Sequence, residues 1–161
     1  VGISGAKFPT TGEFWVFTGW STHTLDGKGR LAIPARFRDV LKASRDERLV
    51  ITASDHCLVC HPYEQWRTLA DKVARLSQVD PRVQDFRRYV ISGANECTYD
   101  KQGRVLIPQP LRELAGLDGQ VLLVGMQANF EIWDKDRWYE ERERIRQNLG
   151  ELSSFIADLG I

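Results

Sequence analysis

Apolar residues along this chain fall first at strand spacing and then at helical spacing, and the order comes round twice. Residues 14–24 should hold a strand and 31–33 its return, on either side of the turn Asp26-Gly27-Lys28-Gly29. Pro34 closes the return strand and suits a helix start, after which Phe37, Val40 and Leu41 make the apolar face of a short helix. Residues 49–53 and 58–60 form a second hairpin, followed by a longer helix with Tyr63, Trp66, Leu69, Ala70, Val73 and Leu76 at threes and fours. Asp80-Pro81 is a cap and first-turn signal for another helix, striped by Val83, Phe86, Tyr89 and Val90. Residues 95–117 repeat the first hairpin and short helix, 121–124 and 130–133 repeat the second hairpin, and Asp134 opens a charged helix to about Gln147. Beyond it Ile145, Leu149, Leu152, Ile156 and Leu159 step by fours and threes, broken by Gly150. Amphipathic helices usually bury against their own domain, so this seam is expected to pack on the protein's own barrel, with a subunit contact as the alternative.

The recurrence is a duplicated unit. Asp26-Gly27-Lys28-Gly29-Arg30-Leu31-Ala32-Ile33-Pro34 and Asp100-Lys101-Gln102-Gly103-Arg104-Val105-Leu106-Ile107-Pro108 both read Asp-x-x-Gly-Arg-hydrophobic-x-Ile-Pro. Upstream, Tyr89-Val90-Ile91-Ser92-Gly93 aligns with Trp15-Val16-Phe17-Thr18-Gly19; downstream, Leu58 falls on Phe130 and Trp66 on Trp138. Neither unit buries a good core alone, so the two should pack as one pseudo-symmetric body. The expected division is a disordered leader at 1–15, repeat 1 at 17–66, connecting helices at 67–93, repeat 2 at 94–138 and a helical tail at 139–161. The expected class is a β-rich α+β protein.

Composition narrows the functions. Hydrophobic residues make up 42% of 161, enough for a folded core, and the formal net charge is zero. Nucleic-acid binding therefore has to rest on a local patch. Around the first motif Lys28, Arg30, Arg36, Arg38 and Lys42 face only Asp26 and Asp39. Around the second, Lys101, Arg104 and Arg112 face Asp100 and Glu113. Compensating acid sits elsewhere, at Asp134, Asp136, Glu140, Glu141 and Glu143. Three cysteines without a disulfide spacing fit a reducing compartment, and no run is long enough for a membrane span.

The candidate DNA contacts are Lys28, Arg30, Arg36, Arg38, Lys101 and Arg104, with Asp26, Gly29, Asp100 and Gly103 as turn residues. Lysine suits phosphate as a point charge, whereas arginine can bond guanine O6 and N7 together. The plainer alternative for Arg30 and Arg104 is an ion pair with Asp26 and Asp100 that staples the turn. Cys57-Leu58-Val59-Cys60-His61 also fits the C-x-x-C-H pattern of haem attachment, or with His56 or Cys97 a zinc site. The equivalent positions of the second unit hold no such ligands, and a strand cysteine is usually a small buried hydrophobe. No phosphate loop, nucleophile elbow or H-E-x-x-H helix is present, so no enzyme, cofactor or catalytic residue is expected. A protein-interaction or assembly module remains the alternative to DNA binding.

The twin Asp-x-x-Gly-Arg-x-x-Ile-Pro units resemble the SpoVT-AbrB class of swapped-hairpin DNA-binding β-barrels. Two such units in one chain resemble the MraZ family, bacterial transcriptional regulators of the division and cell wall gene cluster. Phe17-Thr18-Gly19, Phe37-Arg38 and Glu96-Cys97 support the closer match, which spans about residues 17–149. The leader has no place in the family pattern, and Gln102 stands where the first copy has Lys28. The resemblance implies a double-psi-like barrel built from both halves, in a ring-shaped homo-oligomer with the motif turns on one face. That ring would bind short direct repeats in its own promoter and repress the operon, in the cytoplasm at the nucleoid and away from membranes.

Overall fold

The computed structural model describes residues 16–44 and 46–161; the leader expected at 1–15 lies outside the described residues. In chain order the elements are β1 (Trp20–Thr24), β2 (Arg30–Ala32), α1 (Ala35–Ala43), β3 (Leu49–Ala53), β4 (Leu58–Pro62), α2 (Tyr63–Ala74), α3 (Pro81–Phe86), β5 (Asn95–Cys97), β6 (Arg104–Leu106), α4 (Gln109–Ala115), β7 (Gln120–Gly125), β8 (Phe130–Asp134), α5 (Lys135–Gln147) and α6 (Leu149–Asp158). Prolines 34, 62 and 108 each stand immediately before a helix, where a missing N–H costs nothing. Asp80 and Asp134 cap α3 and α5, accepting the backbone N–H of Arg82 and Arg137.

Strands pair between repeats. A six-stranded antiparallel sheet runs β1-β7-β8-β4-β3-β5, and β2 pairs with β6 in a separate two-stranded ribbon. Repeat 1 thus lends β1 to β7, and repeat 2 lends β5 to β3. At the β4–β8 junction Leu58 lies opposite Ile132 and Cys60 opposite Phe130, a register that reads the same from either repeat. The ribbon has the same property, with Leu31 opposite Val105 at its centre. Among the described residues the large sheet is open, with β1 and β5 at its edges.

One core serves both halves. Leu31, Ile33, Phe37 and Leu41 from repeat 1 meet Val105, Ile107, Leu111 and Phe130 from repeat 2, all nearly inaccessible to water. Phe17, Phe37 and Phe130 have ring centroids 4.9–5.3 Å apart, in tilted and edge-on arrangements. Each ring buried this way contributes about 1.5–3 kcal/mol from desolvation. Neither unit could assemble this cluster alone. A smaller cluster of Cys57, Leu122, Val124 and Trp133 on the other side of the sheet receives Trp138 of α5.

Two expectations need correction. Helical residues outnumber strand residues, so the α+β description holds but not its β-rich part; the connecting segment and the tail account for the excess. Residues 89–91 continue the helix expected from the Val83, Phe86, Tyr89 and Val90 stripe, as a π-helical turn at Arg87–Ile91. Thr52 of β3 donates its hydroxyl to the Val90 carbonyl there, tying the turn to the sheet and leaving only Asn95–Cys97 extended. The seam on α6 does not pack on the protein's own sheet. Leu149, Leu152, Phe155, Ile156 and Leu159 are each 40–60% exposed, and α5 is the main neighbour of α6.

Candidate nucleic-acid interface

Each motif begins as a turn closed by its aspartate. Asp26 Oδ1 accepts the backbone N–H groups of Lys28 and Arg30, both at 2.9 Å, while Oδ2 accepts Arg30 Nε at 2.6 Å. Asp100 repeats the arrangement with the N–H groups of Gln102 and Arg104 at 2.8 and 2.9 Å and Arg104 Nε at 2.9 Å. Gly29 and Gly103 adopt φ of +83° and +74°, which a residue bearing Cβ adopts only with strain. The Arg30 backbone N–H, then the Arg30 side chain and the Lys28 N–H, hold the Asp26 carboxyl down at about 2. Asp100 is lowered by the same kinds of bond from Arg104 and Gln102.

The sign of this effect fixes a pH window. A carboxyl whose folded pKa lies below its ordinary ~3.9 stabilises the fold above about pH 4 and loses that contribution as pH falls toward 2. Carbon-detected NMR titration is expected to place the Asp26 midpoint near 2, with the turn unchanged between pH 5 and 8. A midpoint at the ordinary value would show that the staple does not form in solution.

Both turns feed one surface. In the ribbon Leu31 and Val105 point inward and are fully buried, so Arg30, Ala32, Arg104 and Leu106 point outward by strand alternation. Arg30 and Arg104 are diagonal neighbours on that face, with side chains 33% and 29% exposed. Arg104 Nη1 lies 3.7 Å from Asp26 Oδ2, so the two staples touch across the ribbon. Backbone bonds lock the turns together: the Ile33 N–H donates to the Gly103 carbonyl at 3.0 Å and the Ile107 N–H to the Gly29 carbonyl at 2.9 Å. The glycine carbonyl of each motif thus accepts the isoleucine N–H of the other.

The structure separates the expected contact residues. Lys28 and Lys101 are exposed at the turns, and Arg30 and Arg104 lie on the outward face. Arg38 is half-buried; its Nε donates to the Ile33 carbonyl at 3.0 Å, and its guanidinium lies against Gly103. Arg36 is directed elsewhere, donating Nη1 to the Thr18 carbonyl at 2.7 Å and reaching Ser21, with no bond to either turn. Two residues of this surface were not among the expected contacts. Leu106 is an apolar side chain 56% exposed amid the arginines. Arg112 lies against Gly29, and aligning the two repeats puts it at the position of Arg38, the signal that could have found it.

The cysteine motif does not assemble into a ligand set. Cys57 packs in the outer cluster with Trp133, Cys60 in the main core, and His61 stacks near Trp66 with centroids 5.5 Å apart. Burial pushes the Cys57 and Cys60 thiols up and the His61 ring down to about 4. Among the described residues no group of three His, Cys, Asp or Glu side chains is placed to hold a metal ion. No helix there is long and apolar enough to cross a membrane.

Two tandem repeats, each lending strands to the other and each contributing an aspartate-closed hairpin to a shared arginine face, define a tandem-hairpin α+β protein. The family model described as "MraZ protein, putative antitoxin-like" matches residues 16–88 and again 90–156, and the chain belongs to this family. A relative from Syntrophobacter fumaroxidans, named transcriptional regulator MraZ, is 44% identical over 145 residues, covering 90% of this chain and 97% of that protein. Proteins of the same name from Desulfitobacterium hafniense and Thermomicrobium roseum are 40% and 39% identical, covering 91% and 89% of this chain and 100% and 99% of theirs.

Proposed function

We propose that this protein is a sequence-specific DNA-binding transcriptional regulator that sets the outward face of the β2–β6 ribbon against duplex DNA. The observation that carries this reading is the pairing of Arg30 and Arg104 on one rigid, solvent-facing ribbon. Each is anchored through Nε to its aspartate, so the guanidinium is oriented before any ligand arrives. A two-stranded ribbon fits the major groove of B-DNA, and an arginine bidentate to guanine gives ~1–3 kcal/mol of discrimination. Lys28 and Lys101 at the flanking turns meet phosphates, and Leu106 offers an apolar contact to a thymine methyl group. The names of the relatives support regulation of transcription as the output.

The finer parts of the reading follow from the same geometry. The strand exchange supports a swapped-hairpin barrel in which 17–66 and 94–138 are the two repeats, joined by 67–93 and followed by the tail 139–161. The exposed stripe on α6 supports self-association into a ring. A ring multiplies one small face over repeated sites, because each later contact is made at high effective concentration. Short direct repeats in the protein's own promoter, within the division and cell wall gene cluster, are the proposed target. Repression is the proposed outcome, with the protein at the nucleoid.

One observation favours a rival reading as an assembly module: both arginines already have acidic partners. A mobility-shift assay on the DNA upstream of the protein's own gene, with repeat-scrambled DNA as control, separates the two. The DNA reading expects retardation of the native repeats over the scrambled ones, with affinity falling steeply as salt rises. Absent retardation at low salt would leave the assembly module, and equal retardation of both DNAs would overturn sequence specificity.

A further inference from the structure

We infer that Arg112 and Arg38 are positioning residues that shape the DNA-facing turns from across the molecule, Arg112 acting on the Gly29 turn and Arg38 on the Gly103 turn. This inference deepens the proposed function and rests on it.

The two arginines are exchanged between repeats. A Cβ built at Gly29 would lie 2.5 Å from Arg112 Cζ and 2.6 Å from its Nη1; one at Gly103 would lie 3.0 Å from both Cζ and Nη1 of Arg38. Arg112 comes from α4, after the second motif, yet covers the first turn. Arg38 comes from α1, after the first motif, yet covers the second. Each guanidinium therefore follows the path of the backbone bonds from Ile33 to Gly103 and from Ile107 to Gly29. A flat guanidinium can lie directly on a Cα that carries no side chain, so glycine is required here for room as well as for φ.

This contact fixes more than local packing. Lys28 and Arg30 flank Gly29, so the pose of that turn sets where both side chains point. Arg112 Nε is buried without a hydrogen-bond partner among the described residues, so stacking on the turn, and not a bond from Nε, is what holds the plane there. Arg38 has the additional bond from Nε to the Ile33 carbonyl. A lysine at position 112 preserves the charge but presents no plane to the glycine. A phosphate ligand would tolerate that exchange and a positioning residue would not.

The test uses the full chain with Arg112→Lys, Arg112→Gln and the pair Arg112→Gln with Arg30→Ala. Both single variants are expected to lose about tenfold or more in affinity for the native upstream repeats, because a loosened support misplaces the reading group. Binding to scrambled DNA by Arg112→Lys and the oligomer mass of both should stay as in the parent. In the Arg30→Ala background Arg112→Gln should add no further loss, since the two act as one unit. Parent-like operator binding by Arg112→Lys, or losses that simply add, would overturn the inference. Without DNA, the amide resonances of residues 28–30 should shift in both position-112 variants; unmoved resonances would also overturn it. Parent-like operator binding by Arg30→Ala itself would instead overturn the proposed contact, while the resonances still decide whether Arg112 shapes the turn.

Discussion

Replacing Arg30 or Arg104 with alanine is expected to abolish specific binding to the upstream repeats while leaving the fold and the oligomer intact. The fold should survive because both side chains lie on the outward face and their partners, Asp26 and Asp100, are solvent-accessible. Exposed ion pairs contribute little, and the turns keep their backbone bonds from the N–H groups to the aspartates. DNA binding should not survive. Each lost bidentate contact removes ~1–3 kcal/mol of base discrimination, and the proposed ring would lose it at every subunit at once. Mobility shift on native and scrambled repeats, with light scattering for mass and thermal melting for stability, checks all three parts. An alanine variant that retards the native repeats like the parent would show that its arginine is only a staple for the turn.

The second large effect is expected at the other end of the chain. Leu152→Glu combined with Ile156→Glu places two charges on the exposed apolar stripe of α6. In a single chain these side chains are 40% and 44% exposed, so the melting temperature of the two-repeat body should hardly change. Self-association should collapse, because an interface that receives α6 would have to bury unpaired carboxylates. Light scattering is expected to report a smaller particle, and affinity for multi-repeat DNA should fall toward that for a single repeat. An unchanged mass would show that the α6 stripe is not a self-association surface.

Much of this was legible in the sequence because the turn chemistry is local. Asp26 and Gly29, and again Asp100 and Gly103, act within five residues, so their spacing alone specifies the turn and the strand that follows. The duplication also announced a shared core, since each unit is too small to bury one. What could not be read depends on which distant parts meet. Arg38 and Arg36 look alike as cations beside a short helix, yet one lies on Gly103 and the other bonds the Thr18 carbonyl. The helical stripe through Tyr89 and Val90 was legible, but the bond from the Thr52 hydroxyl on another element that ties it to the sheet was not. The α6 stripe has a helical period whether its apolar side faces its own sheet or another molecule, so periodicity alone could not choose.

The central position of Leu31 against Val105 has a further consequence. A protein built from two identical single-motif chains must carry the same lesson at both fingertips, and any change to one is copied to the other. Here the two halves share a peptide chain, so they are free to drift apart while staying in register. They have done so: one tip offers Lys28 where the other offers Gln102, and the supporting arginine is bonded on one side and only stacked on the other. On the proposed DNA reading, a single chain thus meets its target with two unequal fingers, and would give direction to a contact that a true dimer would leave reversible.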